Sequence, residues 1–343
     1  GGAASATAGA GLACLRTLSG HREAVCCLAD LGHGQVASGS ADGTIRVWDA
    51  ASGRSLFALS GHGKDVTGLA VLPAFDDGRR RLASSSDDKT VRIWALSDAC
   101  GQCVSTLEGH VRQVSCVVAL PGGASACTIA SGGWDWSVRL WDVSGGTCLA
   151  ELKHNGGHRN VVLCLAALPA PATSGDVGRA GDSADGGDVA NFGSARLLAS
   201  GSQDKTIKIW DTQKGEATAT LAGHTAAVCG LAALPRAGGE ARGQGPRLAS
   251  ASKDRTVRVW DVGTGELVAT LAGHSSYVRC VAALPRGLLA TGGSDRTVRV
   301  WDVGARRCVA ALEGHADSVV AIVCASDWLA SASDDHTVRL WGP

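Results

Sequence analysis

The sequence contains no methionine, one tyrosine and three phenylalanines, which leaves tryptophan, with ten copies, as its main aromatic residue. It also lacks an excess of charge of either sign, because 32 lysines and arginines balance 32 aspartates and glutamates. A face that binds nucleic acid or an anionic membrane usually carries a clear positive excess. We therefore expect neither nucleic acid nor a membrane among the partners of this chain.

Long apolar runs are absent as well. No stretch reaches the roughly 18 uninterrupted apolar residues that a membrane-spanning helix needs. The chain opens without methionine on GGAASATAGAG, and the apolar part of this stretch is too short for a signal peptide. We expect residues 1–11 to form a flexible tail, at the start of either a fragment or a processed chain.

The thirteen cysteines cannot all pair with one another, and most lie in apolar runs such as AVCCLA and VRCVAAL. A thiol in such a run acts as a small apolar side chain. We therefore expect reduced cysteines and an intracellular protein, cytoplasmic or nuclear. Cys100 and Cys103 form a CxxC pair, but no second pair or nearby histidine completes a metal site. We interpret this pair as part of a turn and expect no metal and no other cofactor.

A length of 343 residues would suggest about two domains, but the chain is repetitive, and internal repeats override that estimate. A Gly-His pair recurs seven times, and a valine follows each histidine four residues later. Each copy then contains a segment like ASGSADGTIRVWD, in which an aspartate precedes a tryptophan by six residues. Alternating β-branched residues with Gly, Ser and Asp between them indicate short antiparallel strands and tight turns.

These seven copies resemble the WD-repeat β-propeller family. The resemblance implies an all-β fold, a single seven-bladed β-propeller of four-stranded antiparallel blades over residues 12–343. The chain begins with CLRTLSGH, which matches the fourth-strand segments CVSTLEGH and CVAALEGH, and it ends on the third-strand segment TVRLW. We therefore expect the N-terminal strand to complete blade seven and to close the ring, which leaves no exposed sheet edge at that seam.

One copy contains a long insertion. Residues 170–195, between the first and second strands of blade four, are poor in large apolar side chains and cannot offset the entropy of ordering. We predict a disordered loop. Asp182, Asp185 and Asp188 recur at every third position, but a calcium loop of the EF-hand type needs ligands at alternate positions and a closing glutamate. We therefore favour a solvated linker over a calcium site.

Each copy contains Ser or Thr, His and Asp, which are the components of a hydrolase triad. In the family that the sequence resembles, the aspartate holds the histidine, the histidine meets the hydroxyl, and the hydroxyl meets the tryptophan N–H. The sevenfold repetition favours this structural role over catalysis. The resemblance implies such a network in every blade: His21, Ser38, Asp42, Trp48; His62, Ser84, Asp88, Trp94; His110, Ser131, Asp135, Trp141; His158, Ser200, Asp204, Trp210; His224, Ser250, Asp254, Trp260; His274, Thr291, Asp295, Trp301; His315, Ser331, Asp335, Trp341.

Trp134 and Trp136 flank Asp135 in the stretch ASGGWDWSVRLWDV, at positions where the other six copies carry smaller or polar residues. The resemblance implies that the residue before this aspartate, and those one and three places after the histidine, face the narrow top of the ring. The two tryptophans are then either contact residues or side chains packed flat on a neighbouring blade. The predicted partner-binding residues of the top face are Trp134, Trp136, Gln113, Asp65, Asp87, Arg22, Asp334, Tyr277, Arg159 and Lys253.

A rigid ring without a catalytic or cofactor set predicts a non-catalytic scaffold that binds a protein or peptide on its top face. Trp134 shares a sector with Asp65 and Asp87, so we expect a basic segment with an apolar anchor to dock over blades two and three of a monomeric ring. The alternatives are a substrate-receptor domain of a ubiquitin ligase, a reader of histone or other basic tails, and a propeller hydrolase. A hydrolase would need further acids or a metal set at the central channel, and the sequence offers none outside the repeats.

Overall fold

A computed structural model describes residues 12–73, 78–120, 128–153, 156–169, 197–235 and 246–343. The predicted tail of residues 1–11 lies outside the described residues, and so does the predicted loop of residues 170–195 with Asp182, Asp185 and Asp188. Both therefore stay predictions. The part of the chain that is described contains no helix long and apolar enough to cross a membrane.

The described residues form seven four-stranded antiparallel sheets, which are the blades of one ring. This confirms the predicted seven-bladed β-propeller. The strands of blades one to three are β2 (Val25–Gly32), β3 (Gln35–Ser40), β4 (Thr44–Asp49), β5 (Ser55–Ser60); β6 (Val66–Leu72), β7 (Arg80–Ser86), β8 (Val91–Leu96), β9 (Gly101–Leu107); β10 (Val114–Leu120), β11 (Thr128–Gly133), β12 (Val138–Asp142), β13 (Thr147–Leu152).

Blades four to seven continue the same order from the central channel outwards, and a short 3-10 turn (Pro285–Gly287) connects two strands of blade six. Their strands are β14 (Val162–Leu168), β15 (Leu197–Ser202), β16 (Ile207–Asp211), β17 (Glu216–Leu221); β18 (Val228–Leu234), β19 (Arg247–Ser252), β20 (Thr256–Asp261), β21 (Leu267–Ala272); β22 (Val278–Leu284), β23 (Leu288–Gly293), β24 (Val298–Asp302), β25 (Arg307–Leu312); β26 (Val319–Cys324), β27 (Leu329–Ser333), β28 (Thr337–Gly342), with β1 (Ala13–Ser19) as the fourth strand of blade seven.

The second strand of each blade carries small residues because the next blade packs closely against it. A side chain at Gly39 in β3 would bring a Cβ atom to 2.6 Å from Cγ1 of Val66, the repeated valine of the next blade. Gly132 meets Val162 at the same distance. The repeated Gly-His-x-x-x-Val and Ala-Ser-Gly segments are thus the two sides of one contact between blades.

The apolar core lies between neighbouring blades. Each repeat tryptophan is at most 2% exposed. Trp48 of blade one packs in one cluster with Leu18 and Val338 of blade seven, and Trp94 of blade two packs with Ile45 of blade one. Each blade therefore buries its apolar face only when its neighbours are present, as in other repeat architectures.

The N-terminal strand closes the ring, as predicted. β1 pairs antiparallel with β28, from Ala13 opposite Gly342 to Ser19 opposite Thr337. Leu18 of β1 is only 1% exposed and contributes to the core between blades seven and one. The seam therefore consists of both backbone hydrogen bonds and buried apolar surface.

We expect Leu18→Ala to lower the free energy of unfolding by about 2–5 kcal/mol, because it opens a cavity in the core of the seam. Leu15→Ala on the same strand is the matched control, since Leu15 is 51% exposed and its removal should cost less than about 0.5 kcal/mol. Urea unfolding of both variants provides the measurement. Equal effects of the two substitutions would contradict the role of β1 in closing the ring.

Candidate interaction surface

In every blade the four predicted network residues meet around one hydroxyl group. Nδ1 of the histidine lies 2.7–3.0 Å from the turn aspartate. Nε2 lies 2.7–2.8 Å from the Ser or Thr hydroxyl. The same hydroxyl accepts the tryptophan Nε1–H at 2.7–2.9 Å. The network thus connects three parts of each blade: the turn that precedes the first strand, the second strand, and the third strand.

The hydrogen-bond roles follow from the chemistry of each group. An ionised aspartate only accepts hydrogen bonds, so Nδ1 of the histidine donates to it, and Nε2 then accepts from the hydroxyl. Burial lowers the pKa of His62, although Asp88 favours the charged ring. Burial opposes ionisation of Asp88, yet hydrogen bonds from Thr90 and His62 bring the pKa of this carboxyl down to about 2. The pair is therefore a neutral imidazole beside a carboxylate.

The connectivity from Asp through His to Ser is that of a hydrolase triad, but the hydroxyl is not accessible. Ser38, Ser84 and Ser131 are 0% exposed, as are the equivalent Ser or Thr residues of the other blades. The oxygen already accepts the indole N–H and donates its own hydrogen to the imidazole. A substrate carbonyl would have to enter the core between two blades to reach it, so the geometry suits a structural network.

The same aspartate fixes the turns of the top face. In each blade one of its carboxylate oxygens accepts the backbone N–H of the residue after the histidine, at 2.9–3.1 Å. The backbone N–H of the residue before the aspartate donates to the carbonyl three places after the histidine, for example Trp134 to Gln113 at 2.8 Å and Asp87 to Asp65 at 3.0 Å. These positions are therefore neighbours in every blade.

Trp134, Lys253 and Asp334 line a cavity of about 290 Å³, together with Cys26 and Arg279 and with Ser115, Leu163, Cys229 and Val320. Six of these residues lie in the innermost strands, and Trp134, Lys253 and Asp334 lie in the turns that follow second strands, so we call this cavity the channel mouth. The structure thus brings together three of the predicted top-face residues from blades three, five and seven. Arg279 lies 4.0 Å from Asp334.

Three carboxylates lie near one side of the channel mouth: Asp334 lines it, whereas Asp65 and Asp87 lie outside its lining but act on Cys26. Burial, reinforced by the charges of Asp65, Asp334 and Asp87, raises the pKa of the Cys26 thiol to about 12. Burial and the neighbouring charge of Asp65 also raise the pKa of Asp87. The acidic residues predicted on blades two and seven therefore act on one region around Cys26, and Lys253 and Arg279 supply positive charge around Cys229.

Trp134 and Trp136 are 47% and 46% exposed, so neither is a core residue. Together with Val111, Arg112 and Lys153 they line a second cavity of about 470 Å³, whose further lining residues are Asp135, Asn160, Val161 and Gln203. We call it the groove between blades three and four. Trp134 borders both cavities, whereas Trp136 faces only the groove.

The remaining predicted surface residues lie outside these two cavities. Arg22 and Arg159 are exposed next to their histidines, and Tyr277 is 47% exposed in blade six. Gln113 is half-buried and holds the Trp134 backbone.

The predicted list of partner-binding residues omitted Arg112, Lys153 and Arg279, and it also omitted Val111, although Val111 stands one place after His110 at a position predicted to face the top. The sequence does distinguish Val111, because the position after the histidine is polar or small in the other copies. The sequence also distinguishes Arg279, because it is the only charged residue directly after one of the seven repeated valines.

Comparison with known proteins places these repeats in a family. The family profile described as "WD domain, G-beta repeat" matches residues 12–49, 53–95, 101–142, 187–211, 215–261, 265–302 and 306–342.

Similar proteins include Nuclear distribution protein PAC1-1 of Uncinocarpus reesii, which is 31% identical over 260 residues covering 64% of this chain and 56% of the relative. Nuclear distribution proteins PAC1 of Arthroderma otae and Fusarium vanettenii are each 30% identical, over 64% and 60% of this chain and 47% and 55% of their own lengths. The chain thus spans about half the length of these relatives.

We expect acid to destabilise the propeller in two stages. Burial lowers the pKa of His21, His62, His224, His274 and His315 in the fold. The unfolded chain therefore binds more protons below about pH 6.5, and stability is complete above that pH and falls as the pH drops. A second loss should follow below about pH 4, where Asp88, Asp254 and Asp335, with folded-state pKa values of about 2, must take up protons.

Thermal melts between about pH 7 and about pH 5 measure the first stage. His62→Gln should reduce the slope of melting temperature against pH, whereas His336→Gln, which changes an exposed turn residue, should leave it unchanged. A melting temperature that stays constant over this range would show that the buried histidines do not control the acid response.

We expect Trp136→Gly to leave the free energy of unfolding within about 1 kcal/mol of its original value, because the position needs a positive φ, which costs a non-glycine residue about 1–2 kcal/mol. Trp136 has a φ of 68°, and blade one carries Gly43 with a φ of 77° at the same place. Trp141→Ala should cost about 3–5 kcal/mol, since Trp141 is 1% exposed. Chemical denaturation compares the two variants. A loss at Trp136 as large as that at Trp141 would mean that Trp136 packs as a core residue.

Proposed function

Because the chain belongs to the WD40 repeat family, we propose that it is a non-catalytic platform that binds a protein or peptide on the top face of its ring. One observation carries this proposal: Trp134 is half exposed at the channel mouth, on a backbone already fixed by Gln113 and the His110–Asp135 pair. The fold does not need a large aromatic side chain at this position. Such side chains commonly dominate protein interfaces.

The acidic side of the channel mouth defines the favoured partner. Asp65, Asp87 and Asp334 act on the same thiol, and burial raises the pKa of both Asp87 and Asp334. A cationic side chain of a partner would favour the ionised form of these carboxyls. We propose that a basic segment places an apolar anchor on Trp134 and its positive charges over blade two, so that it lies across blades two and three.

The burial of all seven hydroxyls supports a non-catalytic role and argues against the hydrolase alternative. A substrate-receptor domain of a ubiquitin ligase and a reader of histone or other basic tails are two forms that the platform could take. The relatives carry the name nuclear distribution protein, so we propose an intracellular role, with nuclear distribution as one setting. In this proposal the ring itself is monomeric and binds neither nucleic acid nor membrane.

Affinity purification on the intact ring, with and without Trp134→Ala, would identify the partner, and titration would then measure its binding. We expect Trp134→Ala to weaken binding by about 2–4 kcal/mol, as removal of an interface hot spot does. Asp65→Asn and Asp87→Asn should cost less, and their effect should fall with added salt.

Leu267→Ala is the matched control, because Leu267 is a similarly exposed large apolar residue on the outermost strand of blade five, outside the predicted binding face. Its affinity should stay within about twofold of the original value. If Leu267→Ala weakens binding and Trp134→Ala does not, the partner lies elsewhere on the ring. If Trp134→Ala lowers the melting temperature but the folded fraction binds normally, Trp134 contributes to packing and not to binding.

A further inference from the structure

We propose that the groove between blades three and four is a second docking site, and that it takes an acidic peptide segment with one apolar residue. The inference shares one premise with the proposed function, namely that the top face of the ring binds partners. It concerns a different cavity from the channel mouth, with a different set of charges. Among the described residues, Trp134 alone lines both.

The apolar part of the groove is large and exposed. Val111 is 66% exposed and Trp136 is 46% exposed, and the buried Val161 of blade four forms part of the lining. Trp136 also holds a left-handed backbone conformation, with a φ of 68°. Non-glycine residues hold the same conformation at this position in five other blades, so the turn tolerates a large side chain, and Trp136 lines the groove without contributing to the core. A volume of about 470 Å³ accommodates one or two side chains of a partner.

The described lining of the groove carries two cations and one carboxylate. Arg112 and Lys153 both line it, and within the described part of the chain neither has an acidic partner. Asp135 is the one carboxylate in the lining, but it is 6% exposed. Its oxygens already accept from His110 at 2.8 Å, from the Val111 backbone at 3.1 Å and from the Ser137 hydroxyl at 2.7 Å. A carboxylate from a partner would thus meet two available cations.

The amide side chains of the groove suit a peptide backbone. Asn160 accepts the Val161 N–H at 2.8 Å through its Oδ1, which leaves its amide N–H groups as donors. Gln203, also of blade four, is exposed and lines the groove, and its backbone N–H donates to the Val161 carbonyl at 2.9 Å. Two cations are too few for stable binding of nucleic acid, where several phosphate contacts supply most of the affinity. The combination of two cations, amide groups and an apolar floor therefore favours an acidic peptide.

Selection of a phage-displayed library of random linear peptides on the intact chain tests the proposal. The counter-target is the double variant Arg112→Glu with Lys153→Glu. We expect peptides that bind the original chain and lose about tenfold or more affinity for the double variant, and these should carry Asp or Glu around one aromatic or aliphatic residue. Trp136→Gly should weaken the same peptides by about tenfold or more, since it removes the apolar contact and keeps the turn.

The double variant Arg255→Glu with Arg296→Glu is the matched control, because it makes the same change of charge at exposed turn positions of blades five and six. It should change the affinity by less than about twofold. Thermal melts establish that both double variants remain folded.

Two results would overturn the inference. One is that the groove-dependent peptides are enriched in Lys or Arg, and the other is that no peptide depends on Arg112 and Lys153. Tighter groove-dependent binding of a single-stranded oligonucleotide than of the selected peptides would overturn it as well. Peptides that depend on Trp134 and Asp65 but not on Arg112 or Lys153 would leave the proposed function intact and remove this second site alone.

Discussion

The fold depends on one buried hydroxyl in each blade. That oxygen receives a tryptophan N–H from the third strand and gives its hydrogen to a histidine, and the histidine in turn holds the turn aspartate, as in Trp48, Ser38, His21 and Asp42 of blade one. Every member is satisfied, and a missing partner would leave a polar group buried, at a cost of about 1–3 kcal/mol. The network therefore specifies the register of the blade more than it adds to its stability.

The positions that present the top face follow from this network. Trp134 lies directly before Asp135, and its backbone is bonded to Gln113, so the turn keeps its shape whatever side chain it carries. The other blades have residues as different as Lys253 and Ser294 in the same place. Because the backbone and the aspartate satisfy the geometry, the neighbouring side chains are free to encode binding. Such a surface is preorganised, which reduces the entropy lost when a partner binds.

The sequence predicts the fold and the network because both repeat seven times at fixed spacing. Comparison of the copies indicates that Trp134 and Trp136 stand at positions that are otherwise small or polar, but it leaves open whether they are exposed or pack flat on a neighbouring blade. It does not predict the groove, because Arg112 of blade three meets Asn160 and Gln203 of blade four only across the interface between two blades. Arg279 near Asp334 is likewise a contact between blades six and seven that repeat spacing does not encode.

Stability and binding should therefore respond to different substitutions in this ring. A change to a network residue leaves a buried partner unsatisfied and loosens the turns of its own blade, so it lowers stability as well as any binding at those turns. A change at Trp136 affects an exposed side chain in a left-handed turn, where glycine suits the backbone better. Because non-glycine residues hold the same left-handed turn position in five other blades, substitutions at Trp136 should change the groove and leave the fold intact.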